Sequence, residues 1–225
     1  MKADMNDRMN ARMDVLLAGA TGLIGREVAA QWAGPGTLHL LVRRAVPAAA
    51  GRLVHTVDFA HLPVLPAADA AFCCLGTTIK VAGSQAAFRA VDFDAVLAFA
   101  VAARAAGVRR FAVVSSLGAS ARSSNFYSRV KGEMEAAVAA LAFDSLVIVR
   151  PSMLTGDRAA LGQPPRLGEK LVLALAQPLG GLLPAAWKPI AGATVARAML
   201  RALDEAVPGR RIVESGELQA LGRVR

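Results

Sequence analysis

From Met13 onward, short apolar runs alternate with longer stretches of helical spacing, and the runs are apolar at nearly every position rather than at every second one. Val15-Leu16-Leu17-Ala18 is the first and ends at Gly19; Leu38-His39-Leu40-Leu41-Val42 is the second. A weaker run lies near Leu53 to Val57, followed by residues 69 to 75, Phe111-Ala112-Val113-Val114 and Leu146-Val147-Ile148-Val149. A strand apolar on both faces must be covered on both, which helices laid over a parallel sheet achieve. Between the runs, residues 23 to 33, 84 to 106 and 125 to 142 hold helical periodicity, with stops at Gly34-Pro35-Gly36 and Gly107. The pattern predicts an α/β fold built on a doubly wound parallel sheet.

After Arg150-Pro151 the regularity weakens: prolines and glycines cluster between 151 and 192, with helical spacing at 168 to 177 and 193 to 206 and a last strand at Arg211-Ile212-Val213. Ligands of open α/β sheets bind at the carboxyl ends of the strands, so residues 151 to 206 are expected to be a small irregular segment that shapes a substrate pocket. Residues 13 to 225 are expected to form a single domain, since chains of up to about 250 residues can share one core. Residues 1 to 12 mix charges of both signs without an apolar stretch, which fits a disordered tail rather than a secretory signal.

Composition narrows the function classes. Mean hydropathy is +0.43, yet it is spread over 48 alanines, and the longest apolar stretch, Leu171 to Trp187, is broken by Pro178, Gly180, Gly181 and Pro184. A spanning helix needs about 20 unbroken apolar residues, so no membrane association is expected. Cys73 and Cys74 are adjacent inside a buried run, a spacing that suits neither a disulfide framework nor a metal site. They read as small buried hydrophobes in a reducing cytoplasm. The net charge of +9 points to an anionic partner. The basic pairs Arg43-Arg44, Arg109-Arg110 and Arg210-Arg211 are scattered, aromatic content is 5%, and no nucleic-acid motif is present, so that anion is not expected to be a nucleic acid.

Gly19-Ala20-Thr21-Gly22-Leu23-Ile24-Gly25 lies where the first strand passes into the first helix. There Gly19 permits a tight turn, Gly22 lets backbone N–H groups approach a pyrophosphate, and Gly25 lets the helix pack closely, while the helix N-terminus faces the anion. This turn, with Thr21, Leu23 and Ile24, is the expected dinucleotide-binding element. At the end of the second strand stand Val42-Arg43-Arg44, with no acid until Asp58. Arginine there accommodates a 2′-phosphate, so Arg43 and Arg44 predict NADP(H) in preference to NAD(H). Leu75-Gly76-Thr77-Thr78 closes the fourth strand, with Gly76 allowing close approach and the hydroxyls able to bond phosphate or ribose.

The single tyrosine lies in Tyr127-Ser128-Arg129-Val130-Lys131. Positions four apart share a helix face, and an ammonium beside a phenol favours the phenolate, which suits Tyr127 to general acid/base work with Lys131 as its partner. Ser123, Ser124 or Asn125 could cap the helix. Ser115 and Ser116 end the fifth strand, where a hydroxyl can bond a substrate oxygen on which charge develops.

Taken together, Gly19 to Gly25, Ser115-Ser116 and Tyr127 to Lys131 resemble the short-chain dehydrogenase/reductase superfamily. The wider wording, Gly76-Thr77-Thr78, Val114-Ser115-Ser116-Leu117-Gly118-Ala119, Ser123 to Tyr127 and Val130-Lys131-Gly132-Glu133, is similar to its atypical group containing the Tat-interacting-protein oxidoreductase. The resemblance spans residues 13 to 213 and implies a Rossmann fold in which Tyr127 exchanges the proton, Lys131 also binds the nicotinamide ribose, and Ser116 or Ser115 positions the substrate oxygen. It further implies that Pro151 lines the nicotinamide end and that Arg166 reaches the cofactor. Many members supply an asparagine after the fourth strand for a proton relay; Val91-Asp92-Phe93-Asp94 stands here, and no relay residue is assigned.

The expectation is an NADP-dependent oxidoreductase acting on a small carbonyl or alcohol compound. The alternatives are a regulator that binds NADPH and a protein partner without turnover, and a sugar-nucleotide epimerase or dehydratase with a retained NAD, disfavoured by the short segment after Pro151. The helices at 84 to 106 and 125 to 142 correspond to surfaces that often pair in the superfamily, so a homodimer is the candidate assembly.

Overall fold

The computed structural model describes residues 12–47, 49–156 and 185–223. Its strands are β1 (Val15–Ala18), β2 (Leu38–Val42), β3 (Arg52–Thr56), β4 (Ala70–Cys73), β5 (Arg110–Val114), β6 (Ser145–Arg150), β7 (Leu154–Thr155), β8 (Ile190–Ala191) and β9 (Gly209–Glu214). Its helices are α1 (Gly25–Gln31), α2 (Ile79–Ala82), α3 (Gln85–Arg89), α4 (Val96–Ala105), α5 (Phe126–Ala139), α6 (Gly192–Asp204) and α7 (Ser215–Leu221). Seven strands form a sheet in the order β3-β2-β1-β4-β5-β6-β9, and every neighbouring pair is parallel.

Alternation along each strand divides the core. Leu17 of β1 lies between Leu40 and Phe72 in register, and these side chains pack with Val28 of α1 and Met199 of α6. Their neighbours Leu16, Leu41 and Val113 pack on the opposite face with Phe99 of α4 and Met134 of α5. Both faces are therefore covered by helices, which is why the strands read as continuous apolar runs. The strand order reverses between β1 and β4, and the carboxyl ends of these two strands are where an open α/β sheet binds its ligand.

Several elements depart from the sequence pattern. The helical stretch at 84 to 106 is interrupted: α3 and α4 are joined by a π-turn, Ala90–Ala95, in which Asp92 is buried. Strand β9 is longer than Arg211 to Val213 because it pairs with β6 along its whole length, from Ser145↔Gly209 to Arg150↔Glu214. Helix α2, capped by Thr78 Oγ1 accepting from the Val81 N–H at 3.3 Å, the small β7-β8 sheet and α7 were not expected. The helix expected at 168 to 177 lies outside the described residues. Among the described residues no helix is long and apolar enough to cross a membrane.

Candidate active site

The turn after β1 is built by its glycines. Gly19 has φ +83°, and a Cβ there would lie 2.5 Å from the Cys74 carbonyl, so the turn presses directly on the end of β4. The Gly22 N–H donates to the Gly19 carbonyl at 2.9 Å. A side chain on Gly25 would collide with that same carbonyl, so α1 starts on top of the turn. In the first turn of α1 the Arg26 N–H donates to the Gly22 carbonyl at 3.0 Å and the Val28 N–H to the Ile24 carbonyl at 2.9 Å, so helix and turn are continuous.

Two cavities meet at this turn. One, of about 310 Å³, is lined by Gly19, Thr21, Arg43 and Asp58; the other, of about 490 Å³, by Leu23, Ile24, Thr77, Thr78 and the Tyr127 region. Gly22, Leu75 and Gly76 line both, which makes them one groove along the carboxyl edge of the sheet. This groove, lined by Gly19, Gly22 and Gly76 with no side chain projecting from any of them, fits an extended dinucleotide.

Helix α5 brings the chemistry to the far end. Asn125 caps it, its Oδ1 accepting from the Ser128 N–H at 3.1 Å. Tyr127 lies against Phe88, ring centroids 5.1 Å apart. One turn on, Lys131 is buried, with Nζ 2.7 Å from Asp92 Oδ1. Asp92 belongs to the π-turn, is fully buried, and accepts the Thr77 N–H at Oδ2, 2.8 Å away. Burial would push the Lys131 ammonium down; the Asp92 carboxylate and then Tyr127 outweigh it and hold Lys131 above the ordinary lysine value.

The two serines are placed differently. Ser115 Oγ donates to Glu135 Oε1 at 2.5 Å, and that carboxylate is held by Arg150, Nε to Oε1 2.9 Å and Nη2 to Oε2 2.6 Å. Arg150 also reaches Glu214 at 2.9 Å, and its charge is stabilised, chiefly by the Glu135 hydrogen bonds. Ser116 Oγ is buried with no hydrogen-bond partner among the described residues, and the residue lines the same cavity as Tyr127 and Lys131. Pro151 lines it as well. Of the other expected site residues, Gly25 packs beneath the turn, Arg44 is exposed and lines neither cavity, and Arg166 lies outside the described residues.

Asp92, Asp58 and Glu135 are polar residues of this region to which sequence reasoning gave no role. Asp92 carried a signal, one of two acids with Asp94 in the otherwise apolar helical run Val91 to Ala100, but helical periodicity alone does not reveal a π-turn. No group of His, Cys, Asp and Glu side chains among the described residues is arranged to hold a metal ion.

Residues 19–206 match the family model described as NAD(P)H-binding. The chain belongs to this NAD(P)H-binding family. Protein HTATIP2 of Rattus norvegicus is 40% identical over 175 residues, 74% of this chain and 69% of that protein. Among solved structures, MoeE5 in complex with UDP-glucose and NAD is similar at a TM-score of 0.68 and 18% identity, over 93% of this chain and 80% of that one. The Bordetella bronchiseptica enzyme WbmG in complex with NAD is similar at 0.64 and 17%, over 92% and 74%. At such identities the likeness is one of fold.

Two expectations are corrected. A preference for NADP(H) over NAD(H) does not stand: MoeE5 and WbmG hold NAD. In this chain Arg43 and Arg44 are exposed, and the cavity at the end of β2 offers the Asp58 carboxylate beside Arg43 rather than an arginine pair. The shortness of the segment after Pro151 also loses its force against a sugar-nucleotide enzyme, since the chain spans 80% of MoeE5.

Proposed function

We propose that the chain is an NAD(H)-dependent oxidoreductase that moves a hydride between the nicotinamide and a substrate carbon bearing a hydroxyl or carbonyl oxygen. The observation that carries this reading is the meeting of Tyr127, Lys131 and the unpartnered Ser116 hydroxyl in one groove continuous with the glycine turn. Gly19, Gly22 and the start of α1 would hold the pyrophosphate, Arg43 and Asp58 would flank the adenosine end, and Thr77, Thr78 and Lys131 would meet the nicotinamide ribose. The bound nicotinamide supplies the hydride acceptor or donor.

In the oxidation direction Tyr127, as phenolate, takes the hydroxyl proton while the hydride leaves the same carbon; in reduction it returns the proton to the oxygen. Ser116 donates a hydrogen bond to that oxygen as its charge changes. The Lys131 ammonium on the next turn of α5 stabilises the phenolate. Positioned proton transfer contributes about 10²–10⁴-fold. Tyr127→Phe is therefore expected to lower turnover by about that factor with NADH affinity retained, measured by NADH fluorescence titration and by a panel of aldehydes and ketones. Undiminished turnover in the variant, or no NADH binding by the wild type, would overturn this reading.

A second reading is favoured by MoeE5, which holds UDP-glucose together with NAD on the same fold. There the same groups would oxidise a sugar hydroxyl and then return the hydride, leaving NAD unchanged overall. Incubation with UDP-glucose and substoichiometric NAD separates the two: a new sugar signal by NMR without net NADH favours the second, and net NADH oxidation by simple carbonyls favours the first.

A further inference from the structure

We propose that Asp92 is a positioning residue of the groove, holding the Lys131 ammonium at the nicotinamide end and tying it to the Thr77 loop; the role at the nicotinamide end rests on the NAD(H) reading above. Three features support it. The π-turn places a fully buried carboxylate at ion-pair distance, 2.7 Å, from an almost fully buried ammonium. The other carboxylate oxygen accepts the Thr77 N–H, so one side chain couples helix, loop and lysine. Gly76 lies over the pair: a Cβ there would sit 3.4 Å from Asp92 Oδ1 and 3.8 Å from Lys131 Nζ, so the groove wall at this point is backbone packed on the ion pair.

The groups facing Lys131 are few. Asp92 comes from the π-turn, Tyr127 from its own helix, Cys73 from β4 and the Val114 carbonyl, 3.5 Å away, from β5. Burial pushes the Cys73 thiol up to about 12, so it is neutral in ordinary buffers. Asp92 is thus the one carboxylate against this ammonium among the described residues, and without it burial alone would favour the uncharged amine.

The chain has five lysines, few enough to follow Lys131 directly by NMR with [13Cε]-lysine, assigned through Lys131→Arg. In the wild type Lys131 is expected to titrate above the other four. In Asp92→Asn, which can still accept the Thr77 N–H, its titration and the alkaline limit of NADH binding should both move down by about one pH unit or more. Coincident titrations in the two proteins, or a wild-type Lys131 that titrates with or below the other lysines, would overturn the proposal. If Asp92→Asn does not fold, the wild-type titration still decides, together with Asp92→Glu. That longer acid should keep Lys131 charged but displace it and weaken NADH binding, and unchanged binding would count against positioning. If the wild type binds no NADH, the NAD(H) reading and the nicotinamide-end role fall together, and the same titrations decide whether Asp92 holds the ammonium.

Discussion

Ser115 and Ser116 follow β5 and face opposite ways, as adjacent residues of extended chain do. From their distances along the chain to Tyr127 neither could be preferred; the difference lies in what each hydroxyl meets. Ser115 donates a hydrogen bond to Glu135, already clamped by Arg150, whereas Ser116 is buried in the groove without a partner among the described residues. Losing a hydrogen bond to a charged acceptor costs about 1.5–3 kcal/mol, so Ser115→Ala is expected to lower Tm while NADH binding persists. Removing a hydroxyl that bonds only the reacting oxygen acts on rate instead: Ser116→Ala should leave Tm near the wild-type value and reduce kcat/KM by about 10²-fold. Thermal unfolding beside carbonyl turnover checks both, and the reverse pattern would move the substrate role to Ser115.

At the scale of elements, the strands were readable because burial on both faces leaves few polar positions, and the glycine turn because its placement between β1 and α1 is unusual. What the sequence concealed were departures from regular winding and close backbone approaches. Asp92 stands four residues from both Phe88 and Val96, on the buried face even of a regular helix, and what stays hidden is its partners, Lys131 and the Thr77 N–H, which come from other elements. Helix α5 depends on a similar hidden contact. A side chain on Gly132 would collide with the backbone of Ser120 and Ala121, and the Ser120 N–H donates to the Ser128 carbonyl at 3.0 Å, so loop and helix are held in contact where only hydrogen fits. Gly132→Ala is therefore expected to push α5 off this loop at a cost of about 1–3 kcal/mol. Because Tyr127 and Lys131 lie on α5, NADH binding should weaken as well. Chemical denaturation with an NADH titration tests this, and an unchanged affinity would show that α5 accommodates the methyl without moving its functional residues.

For the whole molecule, the +9 charge looked from sequence like a surface for an anion, but several of its arginines are paired with carboxylates of the chain itself. Arg109 pairs with Asp144, Arg211 with Glu205 and Glu217, Arg89 with Glu133, and Arg150 with Glu135 and Glu214. Two of the three basic pairs noted in the sequence thus each contribute an arginine to folding rather than to a ligand. The titration that should most affect folding near neutrality lies instead between β2 and β3, where His39 Nδ1 and His55 Nε2 are 2.9 Å apart and share one hydrogen bond. Burial first, and then the neighbouring His55, lowers His39 below its ordinary 6.5, with Asp14 opposing. Between that ordinary value and the lower folded one, the unfolded chain binds more protons than the native state, so stability is complete above about pH 6.5 and falls as pH drops through this window. Asp14 acts further down: the Thr37 N–H holds its carboxyl below 3.8, so its contribution is lost only in more acidic solution. The wild type should accordingly melt at a lower temperature at about pH 5.5 than at about pH 7.5, and His39→Leu should reduce that difference. An equal pH dependence in the variant would place the sensitive proton elsewhere than at the β2-β3 pair.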